Sequence, residues 1–260
     1  MDTKIVTKWL VCAAVALNAP LAFAADEPAA RALLDAMVSK NSAGFQTGQS
    51  KTSITLKLAN GKEKTWTTLA RVSRKDYKTR TRVTFLEPAE SVGTELLMIE
   101  QGKNQVTQWL WLPKTARLRR IGGAQKNQAF MDTDFSFGDL SSGGLRVGEA
   151  HKVGAEAMAG NACTKIEIIS KDPEDLYAKM ELWLDDKLTV PRQIKFYSAD
   201  GKLAKTLIVD QIIDVEGKPT LKKFRMLGHV RGSMTTVETR DIDTKVTMPD
   251  VLFEPENLGK

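Results

Sequence analysis

Past its first two dozen residues, the chain alternates apolar and polar side chains over most of its length. Ile54, Leu56 and Leu58 alternate with Thr55 and Lys57, the pattern of a strand with one buried face. Asn60-Gly61 follows as a strong hairpin turn. Trp66, Thr68, Ala70 and Val72 share one face of a second strand, and Val83 and Phe85 oppose Arg80 and Arg82 on a third. Residues 95–100 and 106–112 read as a hairpin turning at 102–104. Further strands are expected at 164–170, 177–184, 192–197, 203–213, 222–227 and 235–240, about eleven in all. One segment has the helical period instead. Ala30, Leu33, Leu34 and Met37 repeat at that spacing, Pro28 suits a first turn, and Asp26 is placed to cap it.

A helix followed by a run of antiparallel strands predicts an α+β, mainly β fold. The expected form is an incomplete antiparallel β-barrel or curved sheet wrapped over a helical lid, with the helix burying its apolar face on the concave side. No internal repeat or Pro-rich linker divides the chain, and Ser141-Ser142-Gly143-Gly144 reads as a loop within a single domain over residues 25–260.

The first 24 residues read as an export signal. Lys4 and Lys8 precede an apolar run at 10–17, and Ala22-Phe23-Ala24 puts small residues where signal peptidase cuts, after Ala24. The run is well short of the roughly 20 residues of a membrane span. The expected location is therefore the periplasm. Cys12 sits too early for lipoprotein acylation and leaves with the leader, so Cys163 is the sole remaining thiol and no internal disulfide forms. Its neighbours at 164–168 alternate, which suits a buried strand position.

The chain carries a formal charge of +6, which falls to +5 when Lys4, Lys8 and Asp2 are removed. The basic residues are spread along the strands in short clusters. Such a charge favours transient contact with an anionic membrane surface, and the compartment argues against nucleic acid. Catalytic chemistry is poorly supplied. His151 and His229 have no metal-ligand spacing with a cysteine or carboxylate, and no nucleophile elbow, P-loop or Rossmann pattern is present. No catalytic residue, metal or cofactor is expected. Asp132-Thr133-Asp134 resembles a metal-holding motif of sugar-transferring enzymes, but without a β-α-β setting it reads as a fixed loop. Asp132 and Asp134 would bond nearby backbone amides there, with Phe130 and Phe135 as apolar anchors.

Residues 85–140 carry the densest signal. They contain Phe85-Leu86-Glu87-Pro88, Gly93-Thr94-Glu95-Leu96-Leu97, Trp109-Leu110-Trp111-Leu112-Pro113, Arg117-Leu118-Arg119-Arg120-Ile121 and the run from Phe130-Met131-Asp132 to Phe137-Gly138-Asp139. In that order they resemble the outer-membrane lipoprotein-sorting protein family, relatives of the LolA carriers. Weaker matches lie at 183–205. The resemblance implies an incomplete barrel over helices, with an apolar cavity that takes up the acyl chains of lipids or lipoproteins. It also implies an inner-membrane exporter of the resistance-nodulation-division (RND) type as partner, since members are often encoded beside one.

The candidate cavity liners are Leu33, Leu34 and Met37 from the helix and Trp66, Val72, Val83, Phe85, Leu97, Trp109 and Trp111 from the strands. Packing as a dry core is the competing reading. Arg117, Arg119 and Arg120 are candidates for docking a lipid headgroup or an acidic partner, because Arg binds phosphate in bidentate fashion; a solvated edge strand explains them equally well. The expected function is a periplasmic carrier of a lipid or lipoprotein between membranes. The alternative is a non-enzymatic sensor or scaffold accessory to an RND-type exporter.

Overall fold

The computed structural model describes residues 26–41, 45–75, 78–101, 105–141, 145 and 148–260. The leader, Cys12, the cut after Ala24, the turn at 102–104 and residues 142–144 lie outside them. Among the described residues there is one α-helix, α1 (Pro28–Asn41), and there are thirteen strands. These are β1 (Thr47–Lys57), β2 (Glu63–Lys75), β3 (Lys78–Glu87), β4 (Glu95–Gln101), β5 (Gln105–Leu112) and β6 (Arg117–Ile121), then β7 (Glu149–Met158), β8 (Asn161–Ile169), β9 (Lys179–Asp185), β10 (Pro191–Tyr197), β11 (Leu203–Val215), β12 (Lys218–Gly228) and β13 (Ser233–Asp243). They form one antiparallel sheet in the order β6-β5-β4-β3-β2-β1-β13-β12-β11-β10-β9-β8-β7.

Neighbours in the sheet are neighbours in sequence except at the middle, where β1 pairs with β13. The sheet is therefore two meanders joined by the first and last strands, and it is open, with β6 and β7 as its edges. Closure would require β6 to pair with β7. Instead β6 stops at Gly122-Gly123, where Gly123 takes φ +51° and starts a short 3-10 turn. The described residues 122–141, 145 and 148 belong to the loop that crosses to β7.

The count of thirteen exceeds the expected eleven by the two edge strands. β6 is short and carries three arginines. In β7, Gly154 sits at a register shift and Ala155 and Ala157 replace larger apolar residues, so β7 does not announce itself by alternation, whereas β6 matches the solvated edge strand offered for Arg117 to Arg120. The cover also differs from a helical lid. The single described α-helix lies over the C-terminal meander, and a loop with short 3-10 turns covers the other.

The inner face holds two apolar clusters. In the first, Ala30, Leu34, Met37 and Val38 of α1 pack on Ile166, Ile168, Leu182, Ile194, Phe196 and Met226. Register explains the match: Ile166, Leu182, Ile194, Leu207, Met226 and Thr235 stand opposite one another across β8 to β13. Each fully buried Leu or Ile there contributes about 1.5–3 kcal/mol. Asp26 ties down the entry to the helix rather than capping it. Ala150 N donates to Asp26 Oδ1 (2.9 Å), Glu27 N donates to Ala150 O (2.9 Å) and Lys152 N donates to Glu27 Oε2 (2.8 Å). This covers part of the free edge of β7.

In the second cluster, Phe130 and Phe137 of the crossing loop pack on Leu56, Trp66, Phe85, Leu96, Met98 and Leu110. Phe130 sits 5.8 Å from Phe85 and 5.5 Å from Phe137, ring centre to ring centre. The outer face of β4 and β5 is largely apolar as well. Leu97, Ile99, Trp109 and Trp111 are covered there by Met248, Leu252, Phe253 and Leu258 of the C-terminal segment.

Candidate ligand-binding cavity

Between α1, the crossing loop and the inner face of β9 to β12 lies a cavity of about 410 Å³. Its walls come from three sources: Met37 and Val38 from α1, Phe135, Leu140 and Leu145 from the loop, and Met180, Ile194, Phe196, Leu207, Phe224 and Met226 from the sheet. Period-two alternation produces the sheet wall, since Ile194 and Phe196 on β10 and Phe224 and Met226 on β12 are separated by one outward residue each. Glu100, Lys126, Asn127, Ser170 and Asp175 contribute polar groups to the lining.

One polar cluster lies within the wall. Asp139 accepts from Tyr177 Oη (3.0 and 3.1 Å), Lys205 Nζ (2.9 Å) and Ser136 N (2.8 Å). Lys205 balances the charge of the Asp139 carboxylate, whose side chain is 4% exposed. Burial, reinforced by the adjacent Asp139 charge, pushes the Tyr177 hydroxyl well above its ordinary pKa, so it stays protonated as a donor. The Tyr177 ring lies 4.8 Å from that of Phe196. With its partners satisfied, this cluster fixes the loop against Tyr177, just ahead of β9, and Lys205 on β11, and leaves the cavity a largely apolar lining.

Of the ten predicted liners, Met37 faces the cavity. Leu33 and Leu34 pack in the cluster beneath α1. Trp66, Val83 and Phe85 belong to the second cluster, filled by Phe130 and Phe137, and Val72 is buried on β2. Leu97, Trp109 and Trp111 lie on the opposite side of the sheet, under the C-terminal segment. The cause is that β4 and β5 are apolar on both faces. Alternation separates the two faces without saying which is concave.

Arg117, Arg119 and Arg120 are exposed on edge strand β6. Asp134 is buried; Ser233 Oγ and Thr235 Oγ1 donate to its carboxylate, the latter at 2.7 Å, and its own N–H donates to Thr235 Oγ1 at 2.9 Å. Phe130 and Phe135 flank it, one in each inner cluster. The sheet wall on β9 to β12 was missed although its alternation is legible at Met180-Leu182-Leu184 and Ile194-Phe196. The family resemblance is densest at residues 85–140, away from this wall.

Cys163 is buried on β8, and burial raises its thiol pKa, which disfavours the reactive thiolate. His229 Nε2 hydrogen-bonds Thr206 Oγ1 at 2.9 Å. Among the described residues no three His, Cys, Asp or Glu side chains converge to hold a metal, and no helix is long and apolar enough to cross a membrane.

A family model described as "Uncharacterized protein" matches residues 77–260. The chain belongs to that family. Its fold is LolA-like, as three solved structures show. A DUF1329 family protein from Desulfovibrio piger has a TM-score of 0.81 at 22% identity, over 90% of this chain and 100% of its own. An outer membrane lipoprotein-sorting protein domain from Vibrio parahaemolyticus has a TM-score of 0.82 at 23% identity, over 89% and 99%. A LolA superfamily protein from Nitrosomonas europaea has a TM-score of 0.65 at 18% identity, over 86% and 97%. None of the curated proteins matches the sequence.

Proposed function

We propose that this protein carries a lipid or lipidated protein through the periplasm, sheltering an acyl chain in the cavity between α1, the crossing loop and β9 to β12. On this reading residues 1–24 are a leader removed after Ala24, and residues 25–260 form one carrier domain that acts by binding alone. The cargo would move between membranes, in the outer-membrane sorting pathway, with an RND-type inner-membrane exporter as handover partner. The observation that carries the reading is the cavity, an apolar space of about 410 Å³ left unfilled by the protein's own side chains. The name of the Vibrio neighbour, a lipoprotein-sorting domain, supports it.

The size of the space suggests how much it holds. A cavity of about 150 Å³ takes the six carbons of benzene, or about 25 Å³ per carbon. At that packing the 410 Å³ here accommodates about sixteen carbons, a single acyl chain. Removing sixteen methylenes from water is worth roughly 13 kcal/mol before binding costs, enough to hold a chain during transit.

Mass spectrometry of an organic extract of the purified protein, together with uptake of a fluorescent fatty acid, tests the proposal. One chain per protein is expected. Leu207→Trp, which fills the cavity from β11, should reduce uptake at least tenfold while unfolding near the parent midpoint. An empty extract together with no uptake by the parent protein would overturn the reading.

A further inference from the structure

The net charge of this chain is confined to one stretch. Residues 101–131 contain six basic side chains, Lys103, Lys114, Arg117, Arg119, Arg120 and Lys126, and no Asp or Glu. Taking those six from the 38 Lys and Arg leaves 32, equal to the 32 Asp and Glu, so the rest of the chain is formally neutral. Cations alone are spread along the chain; in this stretch it is the carboxylates that are missing.

The fold gathers much of this charge at the open edge of the sheet. Arg117, Leu118, Arg119 and Arg120 are exposed on β6, whose far side pairs with no strand among the described residues. Among the described residues, neither the three arginines nor Lys126 forms an ion pair. Lys114 differs in lying within electrostatic reach of Glu90. Arg117 and Arg119 stand opposite Leu112 and Leu110, and Arg120 stands opposite Trp109, so the cations project from both faces of the edge. Leu118, an apolar side chain 42% exposed, sits among them. The chain then passes through Gly122-Gly123 to Lys126 and Asn127, which line the cavity.

We infer that this edge docks on an anionic bilayer, with phospholipid headgroups engaging Arg117, Arg119, Arg120 and Lys126 and with the cavity lining at Lys126 brought to the membrane surface. A bilayer fits better than an acidic peptide strand. A strand added to β6 would put one row of side chains on each face, against two arginines on one face and one on the other, and would leave Lys126 beyond its end. Headgroups surround an edge and meet cations on both faces, and Leu118 enters their layer. Only the link to lipid transfer rests on the carrier reading; docking itself does not.

The test is flotation of the purified, processed protein with vesicles of phosphatidylglycerol and phosphatidylcholine in equal parts, and with phosphatidylcholine alone. The protein should bind the mixed vesicles, bind the neutral ones weakly, and release as salt approaches 1 M, where the screening length falls to about 3 Å. Each cation contributes about fivefold at such a surface, so Arg117→Gln/Arg119→Gln/Arg120→Gln should weaken binding roughly a hundredfold. The control Lys152→Gln/Lys187→Gln/Lys245→Gln removes the same charge from exposed positions elsewhere and should bind like the parent. Equal weakening by both triple variants, no preference for the mixed vesicles, or capture of a polyglutamate peptide without vesicle binding would each overturn the inference. Fatty-acid uptake from solution is scored separately: its absence in the parent would count against the carrier reading and leave the docking result standing.

Discussion

Arg82 on β3 and Glu95 on β4, diagonal neighbours two residues out of register, form a buried bidentate ion pair on the outer face of the sheet. Arg82 Nη2 lies 2.8 and 2.7 Å from the two Glu95 oxygens, and Nε lies 3.1 Å from Oε1. The side chains are only 6% and 7% exposed. The pair also fastens the C-terminal segment: Arg82 donates to Leu252 O and Asn257 O, each at 3.1 Å, and Gly259 N donates to Glu95 Oε2 at 2.8 Å. Gly259, at φ +81°, lies against the Trp111 indole with no room for a Cβ. One ion pair thus holds the cover over Leu97, Trp109 and Trp111.

Removing one partner strands the other charge under that cover. Arg82→Met or Glu95→Gln should each cost about 3–5 kcal/mol in urea unfolding. The double variant should cost less than the sum of the two singles. Amide exchange at residues 249–259 should rise in both singles before the sheet itself opens. A loss under about 1 kcal/mol in both singles would mean that the pair does not hold the segment.

These contacts show what was legible in the sequence and what was not. Alternation located the strands with large side chains, such as Trp66 to Val72 on β2 and Ile194 and Phe196 on β10, because a half-buried strand writes its two faces in every second residue. It did not locate β7, whose Gly154, Ala155 and Ala157 bury little. Nor did it assign Trp109 and Trp111 to the outer face. That assignment depends on residues 248–258 folding back across β3 to β5, a contact more than a hundred residues away in sequence that no local pattern encodes. The cavity was harder still. Its wall is made where α1, residues 135–141 and Leu145 fail to meet the sheet, and a gap leaves no signature in composition.

Asp185 predicts how the C-terminal half responds to acid. Burial pushes its carboxyl pKa up, but Leu188 N (2.8 Å), Arg192 Nε (2.8 Å) and Lys187 N (3.0 Å) all donate to it and more than offset that, so its pKa lies below the ordinary carboxylate value. The unfolded chain therefore binds the proton more readily. The stabilisation is present above pH of about 4 and is lost as pH falls through the depressed native value. Asp185→Asn should cost about 1.5–3 kcal/mol at neutral pH and flatten the fall of stability below about pH 4. Urea midpoints measured across that range check both. A variant with the parent's acid slope would exclude Asp185 as a contributor.

Asp134 governs the wall of the cavity from behind. Its carboxylate is held by Ser233 and Thr235 on β13, and a methyl on Gly228 would run into it. Phe135 beside it lines the cavity, while Phe130 anchors the same loop in the second cluster. Asp134→Ala frees two buried hydroxyls of their acceptor and should cost about 1–3 kcal/mol. The loosened Phe135 should also let a bound fluorescent fatty acid leave faster, by about tenfold if about 1.4 kcal/mol of the loss falls on the bound state. Gly228→Ala should produce the same pair of changes by displacing the carboxylate. Thr164→Val removes a hydroxyl bonded to Asp186 at 2.7 Å, neither residue lining the cavity, and should lower stability without changing ligand release. Stopped-flow displacement separates the two classes. Unchanged release in both Asp134→Ala and Gly228→Ala, with stability lowered as in the control, would show that the loop is a fixed part of the core rather than a wall the ligand moves past.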